Sequence, residues 1–368
     1  MPIELFDAGS TRSIMADWVE IRAFRTGERV SHADLSRSQS VREDPTNGRP
    51  ELDDEVGEFL DAEILDSESE RIVNDVWMEL RHRQTTLGSS YPFALRTQGD
   101  GGWSLAVSES DPTVSLPRLA YLVCLLIAGF RRGVLPKPTS DWPKTLKSRY
   151  KWMKSGAGDV FQAVSFLAAP ALVGGMAHWF GWPRPDATPK LRAALTVLVE
   201  RLGHGKIKQE DPEWTTGYEK DGTVDIVIWR PFVDGQYAAL TVFGQVASGE
   251  NWRGKSVLTF IKGHFFDWFE DVPAEHFLPA MFMPFMLHDD ATASKKVTFA
   301  VSARGHARQD ERNFGLVLDR LRIVELATIQ VARVAEGSDE ELRLIAKITR
   351  WLVVARLYAQ SPLVTVTV

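Results

Sequence analysis

Between Asp221 and Lys255 the chain reads DGTVDIVIWRPFVDGQYAALTVFGQVASGENWRGK. Two strand-length apolar runs, VDIVIW and YAALTVFGQ, flank a connection containing Asp234-Gly235, the pattern of a β-hairpin. Both runs are too apolar to be solvent edges, so a polar side chain among them needs a partner. The register decides which polar groups meet. With a three-residue loop, Asp234-Gly235-Gln236, Val233 pairs with Tyr237 and Asp225 falls directly opposite Gln245 on one sheet face. A two-residue loop shifts the register by one and sends these side chains to opposite faces.

Upstream the periodicity is mostly helical. Residues 43–70 hold twelve acidic side chains and one arginine, with Leu52, Val56, Phe59, Leu60 and Ile64 at helical spacing. They predict an acidic amphipathic helix, either a solvated face or a decoy for a basic partner. Residues 68–88 predict a second helix ended by Gly88, and YPFALRT and WSLAVSE two short strands. Leu119–Phe130 is an apolar run of 12 residues. Crossing a membrane takes ~20, so the run predicts a buried helix. Arg131 to Lys154 holds eight Lys or Arg and one Asp among Trp142, Tyr150 and Trp152. That stretch carries +7, leaving −13 on the rest of the chain. A phosphate-contacting strip including Lys144, Lys147, Arg149 and Lys151 and a solvated linker fit it equally well.

Downstream, residues 159–182, LRAALTVLVERLGHG, 252–269 and 274–287 read as helical, KKVTFAVSA as a strand, and FGLVLDRLRIVEL begins as another. Arg320 or Arg322 is expected to pair with an acid across the fold. SDEELRLIAKITRWLVVARLYAQ predicts a long final helix with Ser338 as its cap. The expected organisation is a mostly helical region with a basic linker, 1–155, followed by an α/β (α+β) region, 156–368.

Composition narrows the function. A net charge of −6 excludes a wholly basic nucleic-acid coat protein. Cys124, the single cysteine, excludes an internal disulfide and any multi-cysteine zinc site. No secretory leader is visible, so a cytoplasmic, membrane-free protein is expected. Phosphate-loop, dinucleotide-fold and serine-hydrolase motifs are absent. His288-Asp289-Asp290 could suggest a metal site, but after an apolar helix it reads rather as a structural helix-end cap.

The helix LVERLGHG, Asp225 in DGTVDIVIW and Gln245 in VFGQVAS resemble, in that order, the PD-(D/E)XK restriction-endonuclease-like superfamily, specifically its Mrr-like members. The resemblance covers about 75 residues and implies a mixed sheet flanked by helices. It departs from the pattern twice: Ala247 stands where the lysine belongs, and Arg192 falls near the place of the early-helix glutamate. Lys255, after the Gly249-Glu250-Asn251-Trp252 turn, is expected on a following helix as a migrated lysine. The resemblance implies a metal-dependent DNA endonuclease of bacterial restriction or phage defence. Asp225 and Gln245 would hold Mg²⁺ or Mn²⁺, Glu200 could add a carboxylate, and Lys255 would offset transition-state charge. The alternative is the same fold without catalysis, a DNA-binding, assembly or sensor subunit of a defence complex with a protein partner.

Overall fold

The computed structural model describes residues 12–35, 55–97, 102–108, 115–185, 190–217, 219–220, 222–235, 239–255, 257–289, 298–333 and 337–364, with backbone alone for 55–69. The chain is mixed α/β and forms two compact units, residues 1–154 with 351–368, and residues 155–350.

In the first unit, α1 (Arg12–Thr26), α2 (Glu55–Leu87) and α3 (Leu116–Arg131) accompany an antiparallel sheet of β1 (Val30–Ser31), β2 (Phe93–Thr97) and β3 (Trp103–Val107), in the order β1-β3-β2. The second helix expected at 68–88 is the continuation of α2. Gly88 ends it with φ +53, a conformation that glycine adopts freely. Helix α3 is the apolar run, buried almost throughout, Cys124 included. A polar knot lies in this core. Arg83, with no exposure, donates to Asp17 Oδ1 at 2.7 Å, Glu20 Oε2 at 2.8 Å and Glu79 Oε1 at 3.0 Å. Tyr91 and Tyr121 donate to Glu20 Oε1 at 2.5 and 2.6 Å. A guanidinium is tolerated without water only when its donors are met this completely.

The second unit begins within α4 (Lys144–Ala168) and contains β4 (Met176–Trp179), α5 (Leu191–Leu202), β5 (Lys206–Ile207), β6 (Ile226–Arg230) and β7 (Leu240–Val246). Short helical turns over 250–268 lead to β8 (Phe269–Asp271), β9 (Leu278–Phe282), α6 (Phe299–Phe314), β10 (Leu316–Leu318) and α7 (Arg320–Arg333). The main sheet runs β10-β9-β7-β6-β4. Strands β4, β6 and β7 are antiparallel neighbours; β7, β9 and β10 are parallel. The final helix α8 (Asp339–Ala359) returns to the first unit from Trp351 onward. There Trp351 Nε1 donates to the Met153 carbonyl at 3.1 Å and Tyr358 to that of Pro136 at 2.6 Å. Residues 351–364, expected with the second region, group with the first, where Trp351 and Tyr358 anchor them.

Three further expectations are corrected. Residues 159–182 are helical only to Leu172 and then form β4. Residues 274–287 contain β9, a central strand and not a helix. Because β9 is bonded on both sides, its residues read as an uninterrupted apolar run without alternation. KKVTFAVSA is expected as a strand, but its described part opens α6, where Thr298 Oγ1 accepts from the amide of Val301 at 3.4 Å.

Candidate functional site

Strands β6 and β7 pair Ile226 with Gly244, Val227 with Phe243 and Ile228 with Val242. This is the register that a three-residue loop gives. The strands nevertheless part at Arg230 and Leu240, so the connection is longer and keeps only the parity. It includes a tight turn in which the Gly235 amide donates to the Phe232 carbonyl. Strand directions bring the ends of β4, β7, β9 and β10 and the start of β6 to one edge of the sheet. Ligands bind open α/β sheets at such edges.

Asp225 sits there, one residue before β6. Its carbonyl accepts from Phe180 and Gly181, both at 2.8 Å. Its amide donates to the Gly244 carbonyl, one step off the ladder, because Gly244 is already paired with Ile226. Such a departure breaks strict alternation. The carboxylate accordingly extends the ladder: Oδ2 accepts from the Val246 amide at 2.7 Å. Oδ1 accepts from Gln162 Nε2 at 3.4 Å. Gly222 and Thr223 lead into this position with φ +55 and +73. A β-branched residue held there costs ~1–3 kcal/mol, strain of a kind that clusters at functional sites.

Gln162 is not anticipated from the sequence. It lies on α4, 5% exposed, with Gly158 one turn before it and Ser165 one turn after. A side chain on Gly158 would come 3.7 Å from Ser248 Oγ, just beyond β7. A side chain on Gly181 would collide with Gln162 Nε2 and Asp225 Oδ1. Gly181 thus lets the chain after β4 close on α4 and on Asp225, whereas a side chain on Gly158 would meet Ser248 only at ordinary contact distance. The signal lies in the i, i+4, i+7 spacing of small and polar residues in an otherwise apolar helical stretch.

Gln245 is 8% exposed, and its Oε1 is buried without a hydrogen bond. No hydrogen bond joins it to Asp225. Ala247 is fully buried, its amide on the Phe282 carbonyl, which leaves no room for a lysine there. Lys255 is half-buried and follows the turn Glu250–Gly254 in extended backbone (φ −107, ψ 103), not on a helix as expected. Neither a hydrogen bond nor an ion pair links it to Asp225 or Gln245. Neighbouring Arg253 is committed elsewhere: Nε and Nη2 each donate to Asp310 at 2.8 Å, and its guanidinium lies 4.2 Å over Trp252.

Glu200 is exposed on α5, which is not the helix that reaches Asp225. Arg192 pairs with Asp211 and lies 5.6 Å over Trp268, a packing role. In the basic strip Lys144, Arg149 and Lys151 are exposed on α4, while Lys147 donates to the Ser140 carbonyl at 2.9 Å. These four do not share a face: Lys144, Lys147 and Lys151 follow helical spacing, and Arg149 projects roughly 200° from Lys151. Arg320, wholly buried, donates to the Pro284 carbonyl at 3.2 Å, and Arg322 to that of Val317. Asp319 binds the amides of Leu287 and Arg322. Asp289 closes a turn by accepting from the Met286 amide at 3.1 Å. Among the described residues no three His, Cys, Asp or Glu side chains gather as a metal site. No helix among them is long and apolar enough to cross a membrane. No protein-family model, curated protein or solved structure matches the chain.

Proposed function

We propose that this chain is a Mg²⁺-dependent DNA endonuclease of the restriction-endonuclease-like class, working in the cytoplasm in restriction or phage defence. The observation that carries this reading is that one sheet edge holds both a partly exposed Asp225, just before β6, and, on β7, a buried Gln245 oxygen that has no hydrogen bond. A carboxylate and an amide carbonyl are hard oxygen donors, the type that suits Mg²⁺ or Mn²⁺. The order of elements also favours it. The helix of LVERLGHG, α5, precedes Asp225 and β6 and then Gln245 on β7, as the resemblance expects, and Gln162 on the earlier helix α4 adds an amide beside the Asp225 carboxylate.

Asp225 and Gln245 would hold the ion, which when bound acidifies a water and neutralises phosphodiester oxygens. Of the chain's own groups, the Val246 amide fixes Oδ2 of Asp225 and leaves Oδ1 toward Gln162. Lys255 would act only if its flexible stem swings in when DNA is present.

A second reading, a DNA-binding or assembly subunit without catalysis, is favoured by the single carboxylate of the site and by the buried Ala247. Supercoiled plasmid separates the two. Wild-type protein with Mg²⁺ or Mn²⁺ should nick or linearise it, and Asp225→Asn should abolish cleavage while retaining DNA. Plasmid retained but never cut by wild type, with either metal, would establish the second reading.

A further inference from the structure

Helix α6 carries a feature that the candidate site does not use. Arg304, Arg308 and Arg312 recur at i, i+4 and i+8 on its outer face, all exposed. The opposite face is anchored: Asp310 and Phe314 are buried, Asp310 by Arg253 and Phe314 against Trp252, with ring centroids 5.2 Å apart. Arg304 Nε folds back onto the Ala300 carbonyl at 3.2 Å. None of the three arginines forms an ion pair among the described residues. Exposed Glu311 lies three residues after Arg308 without pairing with it.

A row of like charges one turn apart weakens a helix by itself. Gly305 weakens it further, since glycine is a poor helix interior residue. Packing does not explain this glycine, because a side chain there would meet nothing within 4 Å. It lies on the arginine face, three residues before Arg308 and four after half-exposed Val301. The row is therefore a line of planar, bidentate cations about 6 Å apart along the axis, with a bare patch of backbone beside it.

We infer that this face of α6 binds the phosphate backbone of DNA, one phosphate to each arginine, with Gly305 allowing the strand to approach closely. The inference rests on the nuclease reading for its choice of polyanion. Charge complementarity supports it: the row is cationic in a chain whose net charge is −6. Arginine is also the residue whose geometry matches phosphate oxygens two at a time.

The test is a salt titration of binding to a short fluorescent duplex in EDTA, where no cutting occurs. The variant with Arg304→Ala, Arg308→Ala and Arg312→Ala should bind more weakly. Its log–log salt slope should be shallower by about 0.9 for each phosphate no longer neutralised. Its melting temperature should be unchanged or higher. Gly305→Glu, which puts an acid on the same face, should weaken binding likewise. Wild-type slope and affinity in both variants would overturn the inference and leave the Asp225 reading standing. That is also the result expected if the row instead holds an acidic peptide, such as this chain's own residues 43–70. Wild type that binds no duplex even at low salt would remove both this inference and the nuclease reading.

Discussion

At the scale of single residues, the site depends on Gly181. Its α-carbon lies where any side chain would press on both Gln162 and the Asp225 carboxylate. Gly181→Ala must then displace one or both, at ~1–3 kcal/mol for overpacking a closed interior. The expected outcome is a melting temperature lowered by a few degrees and loss of Mn²⁺ binding by calorimetry. A variant that melts lower but titrates Mn²⁺ as wild type would show that the Asp225 carboxylate is not where the ion binds. Legibility at this scale is uneven. Asp225 and Gln245 stand out as polar residues in apolar strands. Gln162 does not, because its partner is 63 residues away and helical spacing alone cannot reveal which sheet a helix covers. The fate of Lys255 is equally hidden, since Arg253 fixes the turn through Asp310, distant in sequence.

At the scale of elements, the basic half of α4 becomes a geometric question. Three of its four singled-out cations share a face, and Lys147 already serves the Ser140 carbonyl. Replacing Lys144, Lys147, Arg149 and Lys151 together by alanine should make the salt slope of DNA binding shallower by ~1.8, the value for two phosphates and not for four. Arg149→Ala alone should leave the slope unchanged. A slope shallower by ~3.6 would mean that DNA wraps the helix, and an unaltered one would return this stretch to the status of a charged linker. The hairpin is readable because period-two apolar runs and Asp-Gly turn chemistry agree. Strand β9 is not, because LPAMFMPFM lacks any period, as central parallel strands do. KKVTFAVSA misleads in the opposite way. Its alternation is genuine, yet Thr298 caps a helix whose inward face is set by Asp310 and Phe314 further on.

At the scale of the whole molecule, the first unit concentrates tyrosines whose ionisation the fold resists. Burial pushes Tyr91, Tyr150 and Tyr358 up, with Glu20 adding to the effect at Tyr91 and Tyr150 at Tyr358. Arg131 opposes it at Tyr150. A phenol with a folded pKa above its unfolded value contributes stability in full below about pH 10, and loses it as pH climbs toward the folded value. The first unit should therefore melt progressively lower above roughly pH 10. Melts of wild type from neutral to alkaline pH, followed by near-ultraviolet circular dichroism, would reveal this, and Tyr358→Phe should make the decline shallower. A melting temperature constant through that range would contradict it.

The chain path has a consequence for how the protein is made. Residues 155–350 interrupt the first unit, whose remainder includes Trp351 and Tyr358. During synthesis on a ribosome, most of the second unit emerges before the residues that finish the first. Until residues 351–364 are out, the first unit lacks two of its aromatic anchors. Asp225, Gln162 and Gln245 can meanwhile reach their places, so the half of the nascent protein that carries the candidate site is nearly complete while the other half still waits for the C-terminal part of α8.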